Sequence, residues 1–236
     1  MKIARRFLYG IFGLILSLVL LLTSIELVAF DINHYMKEYE KHGVSQATGM
    51  DRKNLHTVSS ELLSYLRNKR DNLKIEAMVK GERREVFGER EKLHMVDVKD
   101  LFLQGRKIRN MGFMAGGLIL LFLVFSDKSW KISLGKTLKG ILMVNVGLFT
   151  ILAFLVYFDF RRYFDYFHYI FFDNDLWILN PKTDIMIQML PQGFFYNTVV
   201  RICVYYIVIL SILGIVGWRY SKGLPLYRKK ELPRGK

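Results

Sequence analysis

Cysteine and proline are scarce in this chain of 236 residues, which contains one cysteine and four prolines. The single cysteine, Cys203, excludes an internal disulfide and a cysteine-based zinc knuckle. A glycine-rich phosphate loop, an HExxH zinc motif and a GxSxG nucleophile elbow are also absent. The sequence therefore lacks the common signatures of soluble enzymes, and we expect neither a metal nor another cofactor.

Long apolar blocks dominate what is present. Hydrophobic residues make up 52% of the chain and the mean hydropathy is +0.19, although the net charge is +14. A soluble domain of this size cannot bury so much apolar surface. Blocks suited to crossing a hydrocarbon core of about 30 Å lie at residues 7–30, 111–125 (extended by flanking positions 108–130), 140–158 and 198–218. The pattern predicts an α-helical integral membrane protein with four transmembrane helices.

Basic residues are divided unequally between the two sides of such a membrane protein. The N-terminal segment, the loop between the second and third blocks, and the tail carry 14 Lys and Arg against two acidic residues, a net +12. The loops 31–110 and 159–197 carry 20 basic and 18 acidic residues, a net +2. Because positive charge is retained in the cytosol, both termini are predicted to be cytosolic. The excess charge then reflects topology and does not indicate nucleic-acid binding.

The first outward loop, residues 31–110, is long enough for a small α+β extracytoplasmic domain. Apolar residues at helical spacing predict a helix over 51–68. Alternating apolar residues on the two sides of Lys80-Gly81-Glu82 predict a β-hairpin. From Glu89 a helical pattern returns and continues toward the second apolar block.

The second outward loop, residues 159–197, begins with the aromatic run FRRYFDYFHYIFF, which is typical of a segment at the headgroup level. The later run IMIQMLPQGFF is apolar, interrupted by Pro191 and Gly193, and too short to span, so we expect an interfacial or re-entrant segment. The predicted division of the chain is 1–30, 31–110, 111–158, 159–197, 198–218 and a basic cytosolic tail at 219–236.

Three stretches of this sequence resemble the lipoprotein intramolecular transacylases, small multi-pass membrane enzymes of low-GC Gram-positive bacteria. They are REVFGEREKLHMVDVKDLF at 84–102, HYIFFDNDLWILNPKTDIMIQMLP at 168–191, and the QGFF that follows. The resemblance implies that the sn-2 acyl chain of a diacylglyceryl-modified N-terminal cysteine moves to that cysteine's own α-amine, which leaves a lyso-form lipoprotein. It also implies that His94 and His168 carry the chemistry, at the outer leaflet of a bacterial cell membrane, with the lipidated lipoprotein N-terminus and membrane lipids as partners.

The residues themselves allow two interpretations of each histidine. His94 and Asp97 share one face of a predicted helix, so the carboxylate could orient the imidazole, or the two could form a solvated surface pair. His168 is either catalytic or a histidine of an interfacial aromatic belt. The H-x4-D pattern of HYIFFD is discounted, because five-residue spacing separates the two side chains on a helix. His34, His42 and His56 are interpreted as surface residues.

Two ionisable residues lie inside apolar blocks, Glu26 near the outer end of the first and Arg201 near the outer end of the fourth. Charges within spans are costly and are usually paired or functional. Their similar depth and opposite sign predict an ion pair that either joins the two helices or binds an ester carbonyl or glyceryl headgroup. Tyr205, one turn deeper than Arg201, and Trp177, in the second matching stretch, are the other substrate-binding candidates.

A non-enzymatic membrane sensor or assembly factor, with residues 31–110 as its binding domain, is the main alternative. A transporter is less favoured, because four spans with one predicted charge pair offer a poor pathway and no internal repeat relates the two halves. Histidines that face a bound lipid would favour the enzyme, whereas histidines open to bulk solvent would favour the sensor.

Overall fold

The computed structural model describes residues 2–222, which form nine helices and one two-stranded sheet. The helices are α1 (Lys2–Ala29), α2 (Ile32–Lys41), α3 (Val44–Thr48), α4 (Arg52–Leu66), α5 (Glu89–Ser126), α6 (Trp130–Phe158), α7 (Phe160–Phe171), α8 (Ile185–Met189) and α9 (Gln192–Ser221). The strands are β1 (Glu76–Val79) and β2 (Glu82–Glu85). Most of the predicted basic tail lies outside the described residues.

Within this described part, α1, α5, α6 and α9 are the helices long and apolar enough to cross a membrane, which confirms the prediction of four spans. Helix α5 has 38 residues, about 57 Å at 1.5 Å per residue, and is longer than a span requires. Charged residues as far as Arg109 confine its apolar stretch to the C-terminal half. Residues 89–107 therefore precede the membrane-spanning segment, which is 108–126.

The chain forms two compact units. The first contains residues 1–21, 110–151 and 204–236, and the second contains residues 22–109 and 152–203. The two predicted outer loops thus belong to one unit, together with the ends of the apolar helices that flank them. All the candidate catalytic residues lie in this second unit.

Helix α4 supplies one wall of the hydrophobic core of the second unit. Asp51 caps its N-terminus by accepting the backbone N–H of Asn54 at 2.7 Å. The apolar residues that predicted the helix are all buried, namely Leu55, Val58, Leu62, Leu63 and Leu66. The helix expected over 51–68 is therefore confirmed, and its apolar face is what fixes it against the core.

The predicted hairpin is also confirmed. Strands β1 and β2 are antiparallel, with Val79 opposite Glu82. Lys80 and Gly81 connect them with φ of 54° and 85°, the combination that a two-residue type I′ turn requires. Ala77 and Val79 face the core while Glu76 and Met78 are exposed, so the strand alternates as the sequence indicated.

The run at 185–195, predicted to be interfacial or re-entrant, is largely covered by protein. Helix α8 and the residue after it place Ile185, Met186, Met189 and Leu190 in the protein core of the second unit. Pro191 then separates α8 from α9. Burial against protein therefore accounts for the apolar character of this run.

Candidate active site

The structure brings His94 and His168 together, although 74 residues separate them in the chain. His94 lies on the extramembrane part of α5 and His168 on α7, and their ring centroids are 6.0 Å apart. The two side chains are buried, with exposed fractions of 7% and 6%. Phe172 contacts both rings and closes one side of the pair.

The tautomer of His168 follows from its hydrogen bond within α7. Its Nδ1 lies 2.7 Å from the backbone carbonyl oxygen of Phe164. A carbonyl only accepts, so Nδ1 carries the hydrogen and Nε2 of the neutral ring carries the lone pair. Trp177 stacks on the same ring, with centroids 4.5 Å apart and planes 25° from parallel. The ring is thus held in one orientation, with Nε2 as its basic atom.

His94 is held differently. Its Nδ1 is buried and has no hydrogen-bond partner within residues 2–222, and Phe172 meets its ring edge-on at 5.3 Å. Buried polar atoms in folded proteins nearly always have a partner. An unpartnered ring nitrogen beside a second histidine is therefore suited to a polar group supplied by a substrate.

Burial keeps both rings neutral. It lowers the pKa of His94 to about 4, and the nearby His168 lowers it further while Asp97 opposes the shift. Burial also lowers the pKa of His168. Both side chains lie outside the membrane-spanning segments and are neutral at physiological pH. The site thus offers the lone pair of His168 Nε2 as a base and the N–H of neutral His94 as a donor.

The orienting contact expected from Asp97 is not formed. Its carboxylate accepts the side-chain amide of Asn174 at 2.9 Å, and no hydrogen bond joins it to His94 within the described chain. The i,i+3 spacing does place both side chains on one face of α5. The His94 ring, however, packs against Phe172 and His168, whereas the Asp97 carboxylate contacts the 172–178 loop. Asn174 also accepts the Trp177 indole N–H at its carbonyl, at 3.1 Å. Asp97 therefore anchors the segment that carries Trp177.

Arg90, about two helical turns before Asp97 on α5, anchors the same segment. Its guanidinium donates to the backbone carbonyls of Asp175 and Ile178 and forms an ion pair with the Asp175 carboxylate at 3.1 Å. Neither Arg90 nor Asn174 was identified from the sequence. Arg90 was not singled out because it is one of many charged residues in α5. Asn174 was not singled out because the stretch DNDLW is typical of a turn.

Glu91 is a buried carboxylate that sequence reasoning also missed. Its two oxygens accept the backbone N–H groups of Gly88 and Met186, each at 2.6 Å. The first bond caps the N-terminus of α5 and the second holds the start of α8. Burial raises the pKa of Glu91 despite these two donors. Its role in the site is to fix α5 in position.

The predicted Glu26–Arg201 ion pair is wrong in both partners. Glu26 pairs with Arg106 at 3.0 Å and with Arg109, which lie about one turn apart on α5. Arg201 pairs with Asp31 at 2.7 Å. Helix α5 starts well before its apolar stretch, and this brings to Glu26 two arginines from the predicted outward loop 31–110. These contacts form a group of Glu26 with Arg106 and Arg109, and an ion pair of Arg201 with Asp31.

His34 is buried and not, as predicted, at the surface. Its exposed fraction is 3%, and its Nε2 lies 2.9 Å from the Thr198 hydroxyl oxygen. That hydroxyl donates to the carbonyl of Phe194, so Nε2 of His34 is the donor. Helix α2 is polar in sequence, and its buried face was missed for that reason. His56 is exposed, as expected.

Three further polar side chains extend this second group, of which Glu38 is buried, whereas Asn197 and His42, the latter predicted at the surface, are half-buried. The carboxylate of Glu38, which is 6% exposed, accepts the Asn197 amide at 2.6 Å and lies 3.3 Å from Nε2 of His42. We name His34, Glu38, His42, Asn197 and Thr198 the α2 cluster.

A comparison with known protein families identifies this architecture. The model of the family "Lipoprotein intramolecular transacylase Lit" matches residues 10–195. The chain belongs to this family. Its members are transacylases, so the chain is an acyltransferase, and the sensor, assembly-factor and transporter alternatives are set aside. Comparison with curated proteins finds no match.

Solved structures agree with the fold. The chain is similar to the in meso structure of the membrane-integral lipoprotein intramolecular transacylase Lit from Bacillus cereus, with 19% identity, a TM-score of 0.73, and coverage of 94% of this chain and 98% of that one. Two structures of the same enzyme carry a single histidine replacement, by arginine or alanine. Each is 16% identical with a TM-score of 0.72, covering 94% of this chain and 94% or 96% of the other. The similarity establishes the fold of a multi-pass membrane protein.

The remaining substrate-binding candidates do not all lie in the same unit of the chain. Trp177 lies in the second unit, against His168. Arg201 lies in the same unit, near the start of α9. Tyr205, one turn further along α9, belongs to the first unit and is 39% exposed. The histidine pair with Trp177 is therefore the most compact part of the candidate site.

Proposed function

We propose that this transacylase moves the sn-2 acyl chain of a diacylglyceryl-modified N-terminal cysteine to the α-amine of the same cysteine. The observation that carries the proposal is the pair of buried, neutral imidazoles with centroids 6.0 Å apart, one of which has its lone pair fixed at Nε2. Aminolysis of an ester needs a proton acceptor for the amine and a donor for the developing oxyanion, and this pair supplies both.

In the proposed step, the neutral α-amine attacks the sn-2 ester carbonyl while Nε2 of His168 takes the proton from nitrogen. The carbon–oxygen bond to glycerol then breaks, and His168 returns the proton to the glycerol oxygen. One ester is lost, one amide and one hydroxyl are formed, and no water is consumed. Both reacting groups belong to one molecule, so positioning supplies much of the rate acceleration.

His94 is assigned the role of hydrogen-bond donor to the carbonyl oxygen. Its pKa of about 4 makes it a weak base, and a neutral imidazole donates one N–H without carrying charge into a buried site. The unpartnered Nδ1 gives this ring a polar atom that no protein group occupies. Trp177 forms a flat wall for the reacting ester, beside the base.

The surroundings of the histidines suit a lipid substrate. Leu93 and Val96, next to His94 on α5, are 52% and 45% exposed, and Phe167, Tyr169 and Phe171 around His168 are equally open. Exposed apolar and aromatic side chains at this level suit contact with acyl chains at a membrane interface. Together with the charge division of the sequence, they support a site at the outer leaflet and cytosolic termini.

Glu26 and Arg201 are proposed to contribute through the charged cluster to which each belongs. Around Glu26, two arginines against one carboxylate leave one positive charge in excess. Such a cluster suits the ester and glyceryl oxygens of the lipidated cysteine. Tyr205 is proposed as a further hydroxyl donor along α9.

The test uses the purified full-length protein and a synthetic diacylglyceryl lipopeptide with a deuterated sn-2 chain. We expect a product of unchanged mass in which tandem mass spectrometry finds the deuterated chain on the N-terminal amide. A mixture of labelled and unlabelled lipopeptides with different peptide sequences serves as the control. Exchange of chains between the two peptides, or gain of one chain by mass, would contradict the intramolecular step.

A further inference from the structure

The first unit contains a cleft between α1 and α6 that shares no residue with the histidine site. Its volume is about 860 Å³, which lies within the range of ligand sites. We propose that this cleft binds an anionic glycerophospholipid, with the phosphate at a basic mouth and an acyl chain along the groove between the two helices.

The mouth of the cleft is formed by Arg5, Arg6 and Lys136. Arg5 donates to the carbonyl of Ser126 at 3.0 Å and lies 3.7 Å from the Asp127 carboxylate. Within residues 2–222, Arg6 and Lys136 make neither an ion pair nor a hydrogen bond. Two cations at the mouth are thus available to a phosphate group.

Asp127, the one acidic residue of the cleft lining, does not cancel these cations. Its carboxylate accepts the hydroxyls of Tyr9 at 3.0 Å, Ser129 at 2.8 Å and Ser133 at 3.0 Å. These bonds and Arg5 hold it as part of the wall. The negative charge of Asp127 is therefore already compensated by these donors and by Arg5.

The groove below the mouth is open because glycines line it. A Cβ added at Gly10 or Gly140 would meet no atom within 4 Å. The walls include the apolar Leu14, Val144 and Leu148, and the polar Ser17 and Asn145 in the lining are hydrogen-bonded to each other at 3.0 Å. From Lys136 to Leu148, α6 rises about 18 Å, which is slightly more than half of a hydrocarbon core of about 30 Å. The groove thus has the depth of one leaflet.

The basic mouth and the groove together favour one class of ligand for the cleft. Free phosphate would fill the mouth and leave the apolar groove empty. A phosphatidylcholine would bring a quaternary ammonium to a mouth with two unpaired cations. Phosphatidylglycerol places a phosphodiester without a cation at headgroup level and a chain in the hydrocarbon, so it satisfies both parts of the cleft.

The experiment measures retention of phosphatidylglycerol by native mass spectrometry of the full-length protein in detergent, with phosphatidylcholine and inorganic phosphate as parallel ligands. The paired variant Arg6→Gln with Lys136→Gln is compared with the paired control Lys131→Gln with Lys139→Gln, which removes the same charge from α6 positions outside the cleft. At about 1 kcal/mol for each basic side chain, we expect affinity for phosphatidylglycerol to fall about 30-fold in the first pair and by less than about twofold in the control.

The groove is tested separately by Gly140→Leu, with Gly147→Leu as the matched control. Both glycines lie on α6 with open space at Cβ, but only Gly140 lines the cleft. We expect Gly140→Leu to lose phosphatidylglycerol and Gly147→Leu to retain it, while melting curves confirm that both are folded. Either of two results with the variants would overturn the proposal: equal loss of phosphatidylglycerol affinity in the two charge pairs, or equal retention of phosphatidylglycerol in the two glycine variants. Binding of phosphatidylcholine as tight as that of phosphatidylglycerol, or displacement of phosphatidylglycerol by inorganic phosphate, would also overturn it.

Discussion

The second unit contains two groups of histidines, among which His34, His94 and His168 are buried, and the groups differ in what their ring nitrogens bind. In the α2 cluster, His34 donates to the Thr198 hydroxyl, and His42 lies against Glu38 and Asn197. In the candidate site, Nδ1 of His94 has no partner in the described chain, and Nε2 of His168 is left as the lone-pair atom. Burial alone therefore does not distinguish the two groups.

The difference teaches that the kind of hydrogen-bond partner separates the two groups. In the α2 cluster, His34 and His42 contact polar side chains of α9, and removing either histidine takes one hydrogen-bond partner from those side chains. In the candidate site, His168 bonds only to a carbonyl of its own helix and Nδ1 of His94 has no partner in the described chain, so each ring keeps a nitrogen for a substrate. The same substitution should thus have opposite consequences in the two groups.

The largest contrast is expected between His168→Ala or His94→Ala and His34→Ala. Loss of a general base or an oxyanion donor should lower the turnover of lyso-form product by about 10²- to 10⁴-fold, with a nearly unchanged melting temperature. His34→Ala should lower the melting temperature while turnover per folded molecule stays within about twofold. Mass spectrometry of the product and a thermal melt measure both quantities. Wild-type turnover in either site variant would remove that histidine from the mechanism.

The ion pairs supply the next contrast. We expect Asp31→Asn and Arg201→Gln to be coupled in a double-mutant cycle by about 1–3 kcal/mol of unfolding free energy. Glu26→Gln and Arg201→Gln should be additive, because each residue has other partners. A chemical-unfolding series in detergent gives the four free energies of each cycle. Coupling confined to Glu26 and Arg201 would restore the pairing that the sequence suggested.

A smaller effect is expected from Asp97→Asn. The amide oxygen still accepts the Asn174 amide, but the bond is no longer to a charged group, which weakens it by about 1 kcal/mol. Turnover should fall by about fivefold, and Asn174→Ala combined with Asp97→Asn should add little to Asn174→Ala alone. The measurement is product formation at saturating lipopeptide. A loss as large as that of His168→Ala would instead make Asp97 a catalytic residue.

The last prediction concerns the pH dependence of stability. Because burial lowers the pKa of His94 to about 4, the unfolded chain takes up its proton first as the pH falls from 6.5 toward 4. Stability should be lost across that window and be insensitive to this residue above pH 6.5. The melting temperature of His94→Gln should therefore decline less than that of the wild type between pH 6.5 and 4. His56→Gln, at an exposed position, should follow the wild type.

The sequence predicted those parts of the fold that depend on local periodicity. The apolar blocks predicted the four spans, and the glycine turn after Lys80 predicted the hairpin. Helix α2 was missed because its buried face includes His34 and Glu38, which hydropathy assigns to the surface. Such burial depends on partners from α9 that are more than 150 residues away.

Within the candidate site, the two histidines were predicted because they lie in the stretches that resemble the family. Their surroundings were not. The loop at 172–178 carries Phe172 and Asn174 and is held by Arg90 on α5. This contact joins residues that are far apart in the sequence, so a local sequence pattern does not predict it. The partners of Glu26 likewise depend on the start of α5, about twenty residues before its apolar stretch.

The hydrogen bond from Nδ1 of His168 to the Phe164 carbonyl has a further consequence. In the proposed mechanism, one ring nitrogen is committed to its own helix, so the proton that Nε2 takes from the amine leaves through Nε2 again. The proposed cycle then begins and ends with the same protonation state, and it requires no proton from bulk solvent. A transacylase that works in this way needs no water in its reacting step. Its product would then be an isomer of its substrate.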